Sequence, residues 1–139
     1  MNWLFWSLLS AAFAAATAIL AKIGIAGIDS NLATAVRTSV ILLFTWAIAY
    51  ATRKPGAIAA ISAHGWLFLV LSGIATGLSW LCYFRALQLG PASSVAPVDK
   101  LSVALVIVLA AIFLGERITH VKAIGGLLIT AGAITLAFG

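Results

Sequence analysis

Two opposite charges stand side by side in a stretch of the chain that is otherwise apolar. Asp99 and Lys100 follow Pro97 closely, and no further charged residue occurs as far as Gly115. A charged side chain at the centre of a bilayer costs about 2.5 kcal/mol or more, so it rarely persists there without a use. A proline within a helix also removes a backbone hydrogen bond, here the one to the carbonyl of Ser93. Charge next to a broken helix is typical of solute sites within membrane proteins.

The composition indicates that these charges lie in a membrane protein. Of the 139 residues, 64% are hydrophobic and 8% are charged, whereas a soluble domain carries about 25% charged residues. The net charge of +5 does not indicate nucleic-acid binding, because Arg53-Lys54 is the only basic run. The connections between apolar segments are short and contain no glycine-rich phosphate loop, which excludes an ATPase. We therefore expect a protein in contact with the lipid bilayer and with no nucleic-acid partner.

Five apolar segments are each long enough to cross a hydrocarbon core of ~30 Å as a helix. They lack the alternation of a membrane-spanning β-strand. The predicted fold is an all-α membrane protein, a bundle of five transmembrane helices that forms one domain over residues 1–139. The predicted spans are residues 4–21, 32–51, 66–87, 92–115 and 123–139.

The loop cations predict the orientation of the bundle, because cytoplasmic loops are enriched in lysine and arginine. An N-terminus in the cytoplasm puts four loop cations inside and only Lys22 outside. The three cations within the spans lie toward the outer side, and counting them makes the two sides equal. The four inner cations are Arg53, Lys54, Arg117 and Lys122.

Arg37 and Arg85 also lie within predicted spans, and at 1.5 Å per residue they reach a depth similar to that of Asp99 and Lys100. Neighbouring residues on a helix point about 100° apart, so we expect Asp99 to pair with an arginine and not with Lys100. Alternatively, the three cations reach the interface by snorkelling and Asp99 makes a structural pair between helices. Trp80, Tyr83 and Phe84 would supply aromatic walls. The predicted substrate-binding residues are Arg37, Trp80, Tyr83, Arg85, Ser94, Pro97, Asp99 and Lys100.

Catalytic and metal sites are not predicted. Asp99 is the only carboxylate within the spans, which excludes a pair of catalytic acids there. His64 and His120 lie in loops without companion ligands. We therefore predict a protein that is not an enzyme and has no cofactor.

Several short elements occur in an order that is similar to a known family. In this order the chain resembles the EamA-type domain of the drug/metabolite transporter superfamily over nearly its whole length, and the segment from Leu114 to Arg117 is the most specific of them. The elements are Lys22, Arg37, the run from Tyr83 to Leu87, Pro97-Val98, the run from Phe113 to Arg117, and the glycine-rich run from Ile124 to Gly132.

The resemblance implies a secondary transporter, a permease or exporter of a small metabolite or drug-like molecule, in a bacterial inner membrane. Familiar members contain two such domains in opposite orientations, so this chain would be one half of an inverted-repeat transporter. It would work as a homodimer, parallel or antiparallel, or with another half. If protons drive transport, Asp99 is the only carboxylate within the spans to carry them. The alternative is a non-transporting membrane subunit that stabilises or regulates a partner membrane protein.

Overall fold

A computed structural model describes residues 2–52 and 58–138. Within these ranges helices dominate, and five stretches are long and apolar enough to cross a membrane, with α4 and α5 together forming the fourth. This confirms the predicted fold class. Arg53 and Lys54, on which the predicted orientation partly depends, lie outside the described residues. The helices are α1 (Trp3–Gly24), α2 (Ser30–Thr52), α3 (Ala63–Leu89), α4 (Ala92–Asp99), α5 (Leu101–Phe113) and α6 (His120–Phe138).

Capping side chains fix where three of these helices begin. Asp29 Oδ1 accepts hydrogen bonds from the backbone N–H groups of Asn31 and Leu32, at 2.9 and 3.0 Å. Ser62 and Thr119 act in the same way ahead of α3 and α6. Such caps satisfy donors that the first helical turn cannot pair internally. These helices therefore start two or three residues before the apolar runs from which the spans were predicted.

The chain divides into two compact units, of which the first comprises Met1–Lys22 and Leu89–Gly139. In this unit α6 packs against both α4 and α5. Gly126 of α6 is buried, and a Cβ atom there would lie 3.2 Å from Cδ1 of Ile107 in α5. A glycine at this position lets the two helix backbones approach closely.

The second unit comprises Ile23–Gln88 and contains α2 and nearly all of α3. Its buried residues include Ser30 and Thr34 on α2, and Phe84 and Leu87 on α3. The hydroxyl of Thr34 donates to the carbonyl of Ser30 at 2.8 Å, so this buried polar group is satisfied within its own helix. The buried face of α2 is therefore polar, which its apolar composition does not suggest.

The fourth span is interrupted three residues later than the sequence suggests. Pro97 lies inside α4, and the interruption comes at Lys100, between α4 and α5. The N–H of Lys100 bonds the carbonyl of Pro97 at 3.0 Å, and the N–H of Val103 bonds the carbonyl of Lys100 at 3.0 Å. Both bonds close the tighter three-residue turn. The proline thus removes one helical bond, and the backbone tightens in the turn that follows it.

Candidate functional site

An arginine lies on an aromatic surface in the second unit. The guanidinium carbon Cζ of Arg37 is 4.3 Å from the ring centre of Trp80 and 5.4 Å from that of Phe84. Both distances are within the ~6 Å range of cation–π attraction. The side chain of Arg37 is half-buried. In the second unit, the positive charge of Arg37 is therefore in contact with two aromatic rings.

Helical spacing brings these groups onto facing surfaces. Trp80 and Phe84 are four residues apart on α3, and Thr34 and Arg37 are three apart on α2, so each pair shares one face of its helix. Phe84 is only 2% exposed, which fixes the ring beneath the cation. Tyr83 is half-buried, and its phenol lies close enough to Arg37 for an electrostatic interaction. Three of the predicted site residues, Arg37, Trp80 and Tyr83, thus lie together.

Arg85 takes part in a different contact at the end of α3. Its Nη1 donates to Oε1 of Gln88 at 3.1 Å, and Nε2 of Gln88 donates to the backbone carbonyl of Ile28 at 2.6 Å. Ile28 follows Gly27, which adopts a positive φ of 75° in the turn between α1 and α2. Gln88 was not among the predicted site residues, although it is four residues after Phe84 and three after Arg85. The spacing of Gln88 from Phe84 and Arg85 on the helix is the sequence feature that could have identified it.

Asp99 and Lys100 pair with each other, contrary to the expectation from helical geometry. Nζ of Lys100 lies 3.1 Å from Oδ2 of Asp99. Adjacent residues diverge by about 100° on a regular helix, but the helix is interrupted at Lys100. The long lysine side chain can therefore turn back to the carboxylate. The prediction that these neighbours do not pair was wrong.

Two further predicted residues belong to the first turns of the fourth span. Ser94 and Pro97 are both half-buried on α4. Just ahead of α4, the backbone carbonyl of Gly90 accepts a hydrogen bond from Nζ of Lys22 at 2.8 Å. The lysine that closes α1 therefore holds the turn from which α4 begins.

The predicted residues fall into two groups, one in each unit. Arg37, Trp80, Tyr83 and Arg85 belong to the second unit, and the four residues of α4 and its end belong to the first. Within residues 2–52 and 58–138, no group of three His, Cys, Asp or Glu side chains could hold a metal ion. The group in the second unit supplies a guanidinium in contact with aromatic rings. The group in the first unit supplies an ion pair and the hydroxyl of Ser94.

Comparison with known proteins decides the class of the molecule. The EamA-like transporter family matches residues 1–138. The chain belongs to this family. Membership confirms the resemblance stated above and makes the chain a multi-pass membrane protein of a transporter family, which is not a family of enzymes.

A curated relative supports the same assignment. The protein described as "Uncharacterized transporter in cobO 3'region", from Sinorhizobium sp, is 52% identical to this EamA-family chain over 136 residues. The match covers 98% of this chain and 96% of the relative, so the relative has a similar length. No solved structure matches the chain at a significant level.

Proposed function

We propose that this EamA-family chain is a secondary transporter that moves a small metabolite or drug-like molecule across a bacterial inner membrane. The solute binds at membrane depth, and the residues that contact it come from the predicted set. Arg37, Trp80, Tyr83 and Arg85 form one group, and the residues of the interrupted fourth span form the other. Family membership supports the class of activity, and the side chains of each group, taken by itself, suit contact with a polar solute.

The observation that carries the proposal is the ion pair at the tightened turn of the fourth span. An ion pair of Asp99 and Lys100 sits where α4 ends and α5 begins, within a span that is otherwise apolar. Irregular backbone at membrane depth is tolerated where it is buried in protein or lines a water-filled cavity. Transporters place their solute and ion sites at such interrupted helices. Asp99 is also the only carboxylate in the membrane spans, so it is the proposed proton carrier if protons drive transport.

Two copies of the chain form the transporter in this proposal. The chain supplies five spans, and inverted-repeat transporters bind their solute at the interface between two repeats. The match to the curated relative covers 96% of that protein. A homodimer supplies the second repeat, and opposite insertion of the two copies restores the inverted arrangement.

Water access to α4 tests this function without knowledge of the solute. Cys82 is exposed and is first replaced by serine, so that the protein has no thiol of its own. Ser94→Cys, on the half-buried face of α4, is then treated in membranes with a water-soluble, membrane-impermeant maleimide. We expect labelling, because a transport cavity admits water to the interrupted span.

The matched control is Leu105→Cys in the same background. Leu105 is an outward-facing residue of α5, 63% exposed on the chain, and should face lipid or a second copy. It should remain unlabelled until detergent is added. If Ser94→Cys resists the reagent as Leu105→Cys does, the span is dry, and a stabilising subunit replaces the transporter as the better account.

A further inference from the structure

Arg37 contacts two aromatic rings and makes no hydrogen bond to the described part of the chain. Trp80 and Phe84 contact the guanidinium through their rings, whereas the N–H donors of a guanidinium lie in its plane. Among residues 2–52 and 58–138, no oxygen atom accepts a hydrogen bond from Arg37, and no fully buried polar side-chain atom lacks a partner. The guanidinium nitrogens are therefore accessible, and their hydrogen bonds remain to be made.

Within residues 2–52 and 58–138, no side-chain carboxylate forms an ion pair with this cation. The sequence contains three acidic residues. Asp29, in the same unit as Arg37, uses its Oδ1 to cap α2. Asp99 accepts from its neighbouring lysine at 3.1 Å, and Glu116 accepts from a lysine of α6 at 3.0 Å. A cation at membrane depth is costly without a partner, so an anion from outside the chain is the group that would satisfy it.

We infer that Arg37, stacked on Trp80 and Phe84, is the binding site for an oxyanion of the transported solute. The ligand class is a small organic anion whose carboxylate or phosphate adjoins an apolar portion. Two parallel N–H···O bonds from the guanidinium fit such a group, and the exposed part of the Trp80 ring receives the apolar portion. This inference rests on the proposed function, which by itself does not say what the solute is.

The aromatic surface favours arginine over lysine at position 37. Contact with the two rings restricts the Arg37 side chain before the ligand arrives, which reduces the side-chain entropy lost on binding. A lysine at the same position keeps the charge but loses the planar fork that matches two oxygen atoms. The same oxyanion chemistry is present in an anionic lipid headgroup, so the experiment must separate a solute from a lipid.

Trp80 can report on this site directly. The chain has five tryptophans, and replacing Trp3, Trp6, Trp46 and Trp66 by phenylalanine leaves Trp80 as the only indole fluorophore. The protein is placed in phosphatidylcholine nanodiscs and titrated with benzoate, phenyl phosphate or the neutral analogue benzamide. We expect a saturable change in Trp80 fluorescence with at least one of the two anions and none with benzamide.

Variants of Arg37 define the role of the guanidinium. Arg37→Gln should raise the Kd of the responding anion by about tenfold or more, as expected for the loss of a charged hydrogen-bond donor. Arg37→Lys should bind more weakly than the parent and more tightly than Arg37→Gln. Arg117→Gln removes a cation from the connection between α5 and α6 and should leave the Kd unchanged. Size-exclusion profiles and helical circular dichroism confirm that the variants are folded.

Three results would overturn the inference. One is that neither anion alters the fluorescence, and another is that benzamide acts as well as the anions. The third is that phosphatidylglycerol reproduces the change and blocks benzoate or phenyl phosphate, which would make a lipid headgroup the occupant. Water access at Ser94 distinguishes the two proposals. Labelling there without anion binding rejects the anion and leaves the transporter, whereas a dry Ser94 rejects the transporter itself.

Discussion

Three cations within the apolar spans are stabilised in different ways. Lys100 is neutralised by Asp99 at 3.1 Å, Arg85 is bonded by the neutral amide oxygen of Gln88, and Arg37 contacts ring faces. Only the first of these contacts cancels the charge. A ring or a neutral amide attracts a cation but does not cancel its charge. Arg37 and Arg85 therefore keep their positive charge, and the pair at the end of α4 is neutral as a whole.

A double-mutant cycle tests the pairing of Asp99 with Lys100. Asp99→Asn and Lys100→Gln each leave one uncompensated charge, whereas the double variant leaves none. We expect the free energies of unfolding to show a coupling of about 0.5–3 kcal/mol, the range for residues in contact. Reversible unfolding in mixed micelles provides the measurement.

The exposed pair of Glu116 and Lys122 is the matched control for this cycle. Its two groups are 3.0 Å apart, with side chains 53% and 47% exposed. A pair in water contributes about 0–1 kcal/mol, so the coupling there should be the smaller of the two. A coupling near zero between Asp99 and Lys100 would show that Asp99 is held by another cation, as regular helical geometry predicts.

At the scale of the helices, the apolar runs predicted the number and order of the spans. They did not predict the residues at which helices begin or the contacts of the charged side chains. The number and order of the spans follow from the long apolar runs, because a helix satisfies its own backbone in lipid and the runs lack the alternation of a barrel strand. Helix starts were missed because caps such as Asp29 set them, and these polar residues lie outside the apolar runs. The partner of Asp99 was missed because the 100° rule assumes a regular helix, and the helix is interrupted at Lys100. The stacking of Arg37 needs contacts between helices, which sequence spacing alone does not supply.

The close contact of α6 with α5 can be tested at two adjacent glycines, of which one makes the contact and the other serves as the control. A Cβ on Gly126 would press on Cδ1 of Ile107 at 3.2 Å, whereas a Cβ on the adjacent Gly125 meets nothing within 4 Å. Both Gly→Ala changes gain helix propensity, but only the first requires the side chain of Ile107 to shift, which offsets part or all of that gain. We therefore expect Gly126→Ala to unfold at a lower temperature than Gly125→Ala.

A compensating change identifies the cause of this difference. Ile107→Val removes the Cδ1 atom that the new methyl group would meet, so it should restore much of the stability of Gly126→Ala. Equal melting temperatures for the two alanine variants would contradict the described packing of α6. Failure of Ile107→Val to restore stability would show that the contact with Ile107 is not the reason.

Over residues 2–52 and 58–138, the molecule combines five apolar spans with two groups of polar residues. The chain is a multi-pass protein of the EamA-like family. The proposed transporter needs two copies, a solute and a driving gradient. Proteoliposomes can hold several copies of the chain, a solute and an ion gradient. Loading them with a metabolite extract of bacterial cells makes it unnecessary to choose a solute in advance.

The central claim is that the chain moves a small organic solute across a membrane. The direct measurement is mass spectrometry of the extract that remains in proteoliposomes and in protein-free liposomes after a pH gradient is imposed. The account predicts that a small set of organic anions leaves only the vesicles that contain protein. Asp99→Asn should abolish the effect of the pH gradient on the rate of efflux. Because two copies must meet in one vesicle, the fraction of active vesicles should fall with the square of the protein density when that density is low. Identical losses from both kinds of vesicle would contradict the claim.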